Sequence, residues 1–119
     1  MNTTTTLRTV LDQWKAGVDA HEPEAVAKVF TDDAIFQGLH PYSIGPAGVA
    51  EYYASQPLGM KVDYDILETR QLSDDLALGY LKAAFSFVDR PTLELFLGII
   101  ARGNGNDARI AHYQVSKLP

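Results

Sequence analysis

The sequence predicts an α+β domain in which a curved antiparallel sheet wraps three leading helices. Three features carry that expectation. Apolar residues recur at helical spacing through the first half of the chain, long extended segments separated by turn residues fill the second half, and one extended segment is apolar on both faces. Leu7, Val10, Leu11, Trp14 and Val18 fall on one helical face, and the run Thr3 to Thr6 offers an N-cap, so a helix is expected from Thr5 or Thr6 to about Ala20. In "HEPEAVAKVF", Pro23 stands where a helix begins and Val26, Val29 and Phe30 share a side, which gives a second, shorter helix. "AIFQG" follows as a short strand. In "SIGPAGVAEYYASQ", Gly45 and Pro46 start a third helix from which Val49, Tyr52 and Tyr53 project together. From Lys61 onward the turns "LSDD", "DRPT" and "GNGND" separate four strands, about 61–72, 75–88, 92–103 and 108–117. In the third of these, Leu93, Leu95, Leu97 and Ile99 alternate with Glu94, Phe96, Gly98 and Ile100, so the strand is expected to be covered on both sides.

With 119 residues, 46% of them hydrophobic, the chain suits one domain over residues 1–119 with one core. A formal charge of −5 with no cluster of Lys or Arg speaks against a nucleic-acid surface or an anionic membrane, both of which need concentrated positive charge. The chain has no cysteine, which rules out disulfides and thiolate metal sites. No apolar run reaches bilayer length and "MNTTTTLRTV" lacks the pattern of a signal peptide, so a cytoplasmic protein is expected.

The run "QWKAGVDAHEPEAVAKVFTDDAIFQGLHPYSIGPAGVAEYY" resembles the opening of the nuclear transport factor 2-like superfamily, in particular its SnoaL-like and SgcJ-type branches. The matching positions are Trp14 on the first helix, Asp19 with Glu24 and Ala25, the "DDA" of Asp32, Asp33 and Ala34, and Gly45 before the third helix. The ending "RIAHYQVSKLP" resembles the SgcJ-type close through Arg109, Ile110, His112, Gln114 and Ser116. The resemblance implies a cystatin-like fold with a cone-shaped sheet, an internal pocket and a homodimer. It leaves the activity open, because the superfamily spans isomerases, cyclases, dehydratases, epoxide hydrolases and binding modules. In the steroid isomerase branch the general base lies at the end of the first strand, where this chain has Gly38. That branch's protonated aspartic acid falls near Gly98, and its first-helix tyrosine falls at Trp14. Only Tyr53 keeps a hydroxyl, so steroid isomerase chemistry is not expected.

Asp32 and Asp33 sit between a helix end and a strand start, where Asp favours turns, and they are expected to punctuate the chain. His40, in "GLHPYS", either carries a proton at a pocket mouth or faces solvent beside Tyr42. Strand alternation puts Ile110, His112, Gln114 and Ser116 on one face and Ala111, Tyr113, Val115 and Lys117 on the other, so His112 is either a pocket residue or part of a polar dimer interface, with the polar row inclined to the interface and Tyr113 and Val115 to the pocket. His21 is expected to be solvated. Three scattered histidines give no imidazole metal site, and "GNGND" has no helix behind it to hold phosphate, so neither metal nor cofactor is expected. An aromatic pocket is expected from Trp14, Val18, Phe30, Phe36, Tyr42, Phe85, Phe87, Phe96 and Tyr113, although aromatics at such spacings more often simply fill a core.

The expected function is therefore a homodimer that binds a hydrophobic or aromatic small molecule. If it is catalytic, the expectation is cofactor-free isomerisation, cyclisation or dehydration, with Tyr53, His40 and His112 moving protons. The alternative is a non-catalytic carrier or association module. Epoxide hydrolysis would need an Asp-Arg-Asp set, for which Arg102 is a candidate arginine, and the sequence does not place two carboxylates beside it.

Overall fold

The computed structural model describes residues 2–118. Helix α1 (Thr3–Asp19) begins earlier than the threonine run suggests because Asn2 takes the cap, its Oδ1 accepting the Thr5 N–H at 2.8 Å. The threonines form the first turn instead, and Thr9 Oγ1 bonds back to the Thr5 carbonyl at 3.0 Å. One stripe of α1 buries Leu7, Val10, Leu11, Trp14, Gly17 and Val18. Gly17 is where the next helix crosses. A Cβ there would lie 2.8 Å from Val26 Cγ2, which leaves room for hydrogen alone.

Between α1 and α2 (Pro23–Ala27) the chain reverses at His21, whose φ of 52° is left-handed. The His21 and Glu22 N–H groups cap the carbonyls of Val18 and Gly17 at 3.0 and 2.9 Å. A side chain in that conformation costs about 1–2 kcal/mol, part of which glycine recovers after its own entropy loss. His21→Gly is therefore expected to raise the denaturation free energy by a few tenths of a kcal/mol up to about 1 kcal/mol, read from urea midpoints. An equal loss would mean that the histidine side chain contributes contacts of its own.

Helix α2 stops at Ala27. Phe30, expected on its face, instead opens strand β1 (Phe30–Gln37). Strand β2 (Ser43–Ile44) and helix α3 (Pro46–Ala54) follow, joined through Gly45 at φ 86°, whose N–H donates to the Ala34 carbonyl at 2.8 Å. Strands β3 (Lys61–Ser73), β4 (Leu76–Ser86), β5 (Leu93–Arg102) and β6 (Arg109–Ser116) complete one sheet of order β2-β1-β6-β5-β4-β3. One pairing departs from the antiparallel expectation: β1 runs parallel to β6, so the sheet is mixed. No hairpin joins β1 to β6, and the long connection between them lets β1 take that direction.

Alternation also fails within β6. Ile100 pairs with His112 and Ala101 with Ile110, so Ala111 is an extra residue, a β-bulge in β6. The phase of the strand shifts there, and Ile110 shares the inner face with Tyr113 although their separation is odd.

The inner face packs on the helices through Val62, Leu81, Ala83, Phe85, Leu95, Leu97, Ile99 and Ile110, all buried. Asp19 fixes the entry of β3: its Oδ1 accepts the Val62 N–H at 2.9 Å, and Lys15 Nζ bridges Asp19 (2.8 Å), the Val62 carbonyl (2.6 Å) and Asp63 (3.2 Å). Among the described residues no helix is long and apolar enough to cross a membrane.

Candidate functional site

The inside of the cone is largely filled by the chain's own aromatics. Trp14 is fully buried, and its indole N–H donates to Tyr53 Oη at 3.0 Å. The Tyr53 hydroxyl donates in turn to Tyr113 Oη over a long 3.4 Å. Around this chain Phe36 lies 4.8 Å from the Tyr113 ring and 5.6 Å from Phe30, and Phe85 stands edge-on to Trp14 at 6.1 Å. Edge-on and tilted contacts of this kind are favourable packing, so these rings occupy the space they surround. What is left is a cavity of about 30 Å³ toward the open end of the cone, with Tyr53, Phe85, Phe87, Leu95, Tyr113 and Val115 in its wall.

The expected site residues fall into separate places. Tyr53, Phe85, Phe87 and Tyr113 line the cavity. Trp14, Val18 and Phe30 are packing units behind it. His40 lies outside, in an open cleft of about 270 Å³ shared with Phe36, Ser43, Glu51 and Tyr52, its ring edge-on to Tyr52 at 5.2 Å. Tyr52 belongs to the wall of both cleft and cavity, and its Oη accepts the Leu39 N–H at 3.2 Å. Tyr42 is 65% exposed on the β1–β2 connection and does not reach the cavity. Phe96 sits on the outer face of the sheet, stacked on Tyr80 at 5.9 Å, because alternation in β5 turns it away from Leu95 and Leu97. His112 is also on the outer face. The three residues expected to carry protons, Tyr53, His40 and His112, thus stand inside the cone, on its mouth loop and on its back, and they do not form one constellation.

The steroid isomerase positions are closed too. A Cβ on Gly38 would meet the Tyr52 ring at 2.6 Å, so an aspartate does not fit there while Tyr52 keeps its place. Gly98 faces outward. Asp32 and Asp33 lie where β1 bulges away from β6, and Asp33 accepts from Thr31 Oγ1 at 2.8 Å and pairs with Arg102 at 3.1 Å. These contacts, the threonine bond first, hold its carboxyl below the usual range. They make Asp33 a fastener of the strand end, and they engage the arginine that epoxide hydrolysis would require.

The outer face carries a row that the sequence does not display. Pairing registers align Ile44, Ile35, His112, Ile100 and Leu78 side by side across five strands. The next row sets Gln114, Gly98 and Tyr80 abreast. Ile35, Ile44 and Tyr80 are 44%, 57% and 43% exposed.

Burial raises the phenols. Tyr53 and Tyr113 are held well above the ordinary value of 10.0, and Tyr64 is pushed up to about 12 by burial and by its 2.6 Å bond to Asp12. A raised folded-state pKa means stability that is complete below the unfolded value and lost as pH rises through the folded one. Stability is accordingly expected to fall from about pH 10 upward through about pH 12, and the fully buried Tyr53 and Tyr113 should ionise only as the chain unfolds. Phenolate absorbance followed beside circular dichroism tests this. Six tyrosines titrating before any loss of structure would contradict it.

No protein-family model and no curated protein matches this chain. Solved structures do. A structure from Xanthomonas campestris described as a calcium/calmodulin-dependent protein kinase II association domain superposes with a TM-score of 0.83 at 15% identity, covering 100% of this chain and 98% of that one. A ketosteroid isomerase-like protein from Erwinia carotovora atroseptica gives 0.79 at 19% identity, with 98% and 96% covered. A protein of unknown function from Pseudomonas putida, described as nuclear transport factor 2-like, gives 0.79 at 16%, with 100% and 89% covered. The fold is that of the nuclear transport factor 2-like proteins. At these identities the likeness is one of fold, and the nuclear transport factor 2-like architecture fixes where helices and strands lie without assigning a reaction. Relative to that architecture, Met60, Leu93 and Leu95 are cavity residues that sequence reasoning passed over. Leu93 and Leu95 carried a usable signal, since their alternation phase is that of the buried Leu97. Met60 carried none.

Proposed function

We propose that this chain is a SnoaL-like module that assembles as a homodimer through the outer face of its sheet and works by binding rather than by proton transfer. The observation that carries this reading is the outer row of Ile44, Ile35, His112, Ile100 and Leu78, a largely apolar stripe that ends on Arg70 of β3 and lies on a face that no helix among the described residues covers. Burying such a stripe against a second copy removes exposed apolar area and suits a two-fold, self-complementary contact. Supporting it, the Xanthomonas campestris structure is described as an association domain. The dispersal of Tyr53, His40 and His112 favours binding over catalysis, because proton transfer needs its groups within hydrogen-bond reach of one substrate. Sedimentation velocity across a wide concentration range is expected to show a dimer near neutral pH. A monomer at every concentration would end the reading.

A second function is favoured by the half-buried Phe87, Leu93 and Val115 around the remaining cavity: the mouth of the cone takes a small apolar guest. The guest is smaller than the aromatic ligand expected from the sequence, because the chain's own rings fill the deeper space.

A further inference from the structure

We propose that the outer-face dimer is switched by pH, His112 releasing the two copies when its imidazole takes up a proton. This rests on the dimer reading and adds its regulation. His112 is half-buried in the middle of the outer row, with Ile35 of β1 on one side and Ile100 of β5 on the other. Beyond these two stand Ile44 and Leu78. A two-fold contact made along this row covers the histidine of each copy with apolar side chains. A neutral imidazole tolerates such cover, whereas burial disfavours the charged form.

The neighbouring rows offer the charge no partner. One of them holds the uncharged Gln37, Gln114, Gly98 and Tyr80. On the other side Arg109 of β6 lies opposite Arg102 of β5, and Asp33 at the start of β1 is already held by Arg102 at 3.1 Å. The row itself ends on Arg70, which engages Glu68 at 3.3 Å. An imidazolium in this setting meets arginines before it meets a free carboxylate, and the second copy brings the same set again. In the separated chains water solvates the charge. The assembled pair therefore binds the two protons more weakly than the free chains do, and by linkage proton uptake drives dissociation. Dimer affinity is thus complete at neutral pH and is lost as pH falls through the range in which imidazoles titrate.

The size of the effect follows from the stoichiometry. Imidazoles ordinarily titrate at about pH 6.5, and excluding a proton costs about tenfold in affinity for each histidine and each pH unit below that value. With one such group from each copy, the wild-type dimer is expected to be about 100-fold weaker at about pH 5.5 than at about pH 7.5. Sedimentation velocity over a concentration series at both values measures this, with circular dichroism to show that the protomer stays folded. His112→Leu is expected to lose the pH dependence, and His112→Lys, charged at both values, is expected to stay monomeric at both. His21 and His40 remain in place in both variants, so a pH dependence that survives His112→Leu would overturn the assignment, as would a dimeric His112→Lys. Equal wild-type affinity at the two pH values would also overturn the inference and leave the dimer reading standing. A wild type that is monomeric at both would end the two together.

Discussion

Replacing Trp14 by alanine is expected to cost about 3–5 kcal/mol and to convert a filled cone into one that takes up indole. Trp14 is fully buried: it packs on Phe85 and Tyr113 and supplies the hydrogen bond accepted by Tyr53. Truncation removes that packing and leaves an apolar void, of the kind that stays dry and admits aromatic molecules of matching size. Against a total stability of about 5–15 kcal/mol, the variant would be marginal at room temperature. Added indole should then raise its melting temperature in proportion to the logarithm of ligand concentration, while wild type shows no such response. The measurement is a pair of thermal melts with and without indole. A variant that is nearly as stable as wild type and indifferent to indole would mean that Trp14 is not what closes the cone, and a larger internal guest would return as a serious possibility.

Gly98→Arg is expected to abolish the proposed dimer at micromolar concentration without harming the protomer. A Cβ built on Gly98 meets nothing within 4 Å, so the arginine has free space in one chain. Glycine inside a strand is itself about 0.5–1 kcal/mol unfavourable relative to alanine, which argues that the protomer gains rather than loses. In the proposed dimer, two arginines related by a two-fold axis would lie beside the stacked rings of Tyr80 and Phe96, where like charges come together and lose hydration. A weakening of about 100-fold or more follows, read as a shift to monomer in sedimentation with an unchanged melting profile at low concentration. If the variant sediments as wild type does, the outer face is not the interface.

The fold was legible because helical spacing and strand alternation are strong, local signals. Trp14 with its apolar companions, the proline starts at Pro23 and Pro46, and the turn clusters placed nearly every element within a few residues. The misses have physical causes. Phe30 continues the apolar spacing of α2 into the strand, so periodicity alone cannot mark the change. The bulge at Ala111 makes the last strand's two faces exchange partway along, and no residue type announces an inserted alanine. The site was much less legible. The outer row exists only through registers between five strands, and the Trp14–Tyr53–Tyr113 chain joins residues from α1, α3 and β6 that no local pattern connects. Phe96 shows the same limit: a strand apolar on both faces says that each side is covered, not which side faces the helices.

The parallel pairing of β1 with β6 has a consequence for the making of the protein. Strand β1 is the first strand of the sheet in chain order, yet its main partner, β6, is the sheet's last to be synthesised. Until that strand emerges, Phe30 and Phe36 have no neighbouring backbone on that side, and the cone stays unlatched along one seam. Closing this seam therefore waits for β6, and a nascent chain from which β6 has not yet emerged would present an open edge to every chaperone and protease nearby.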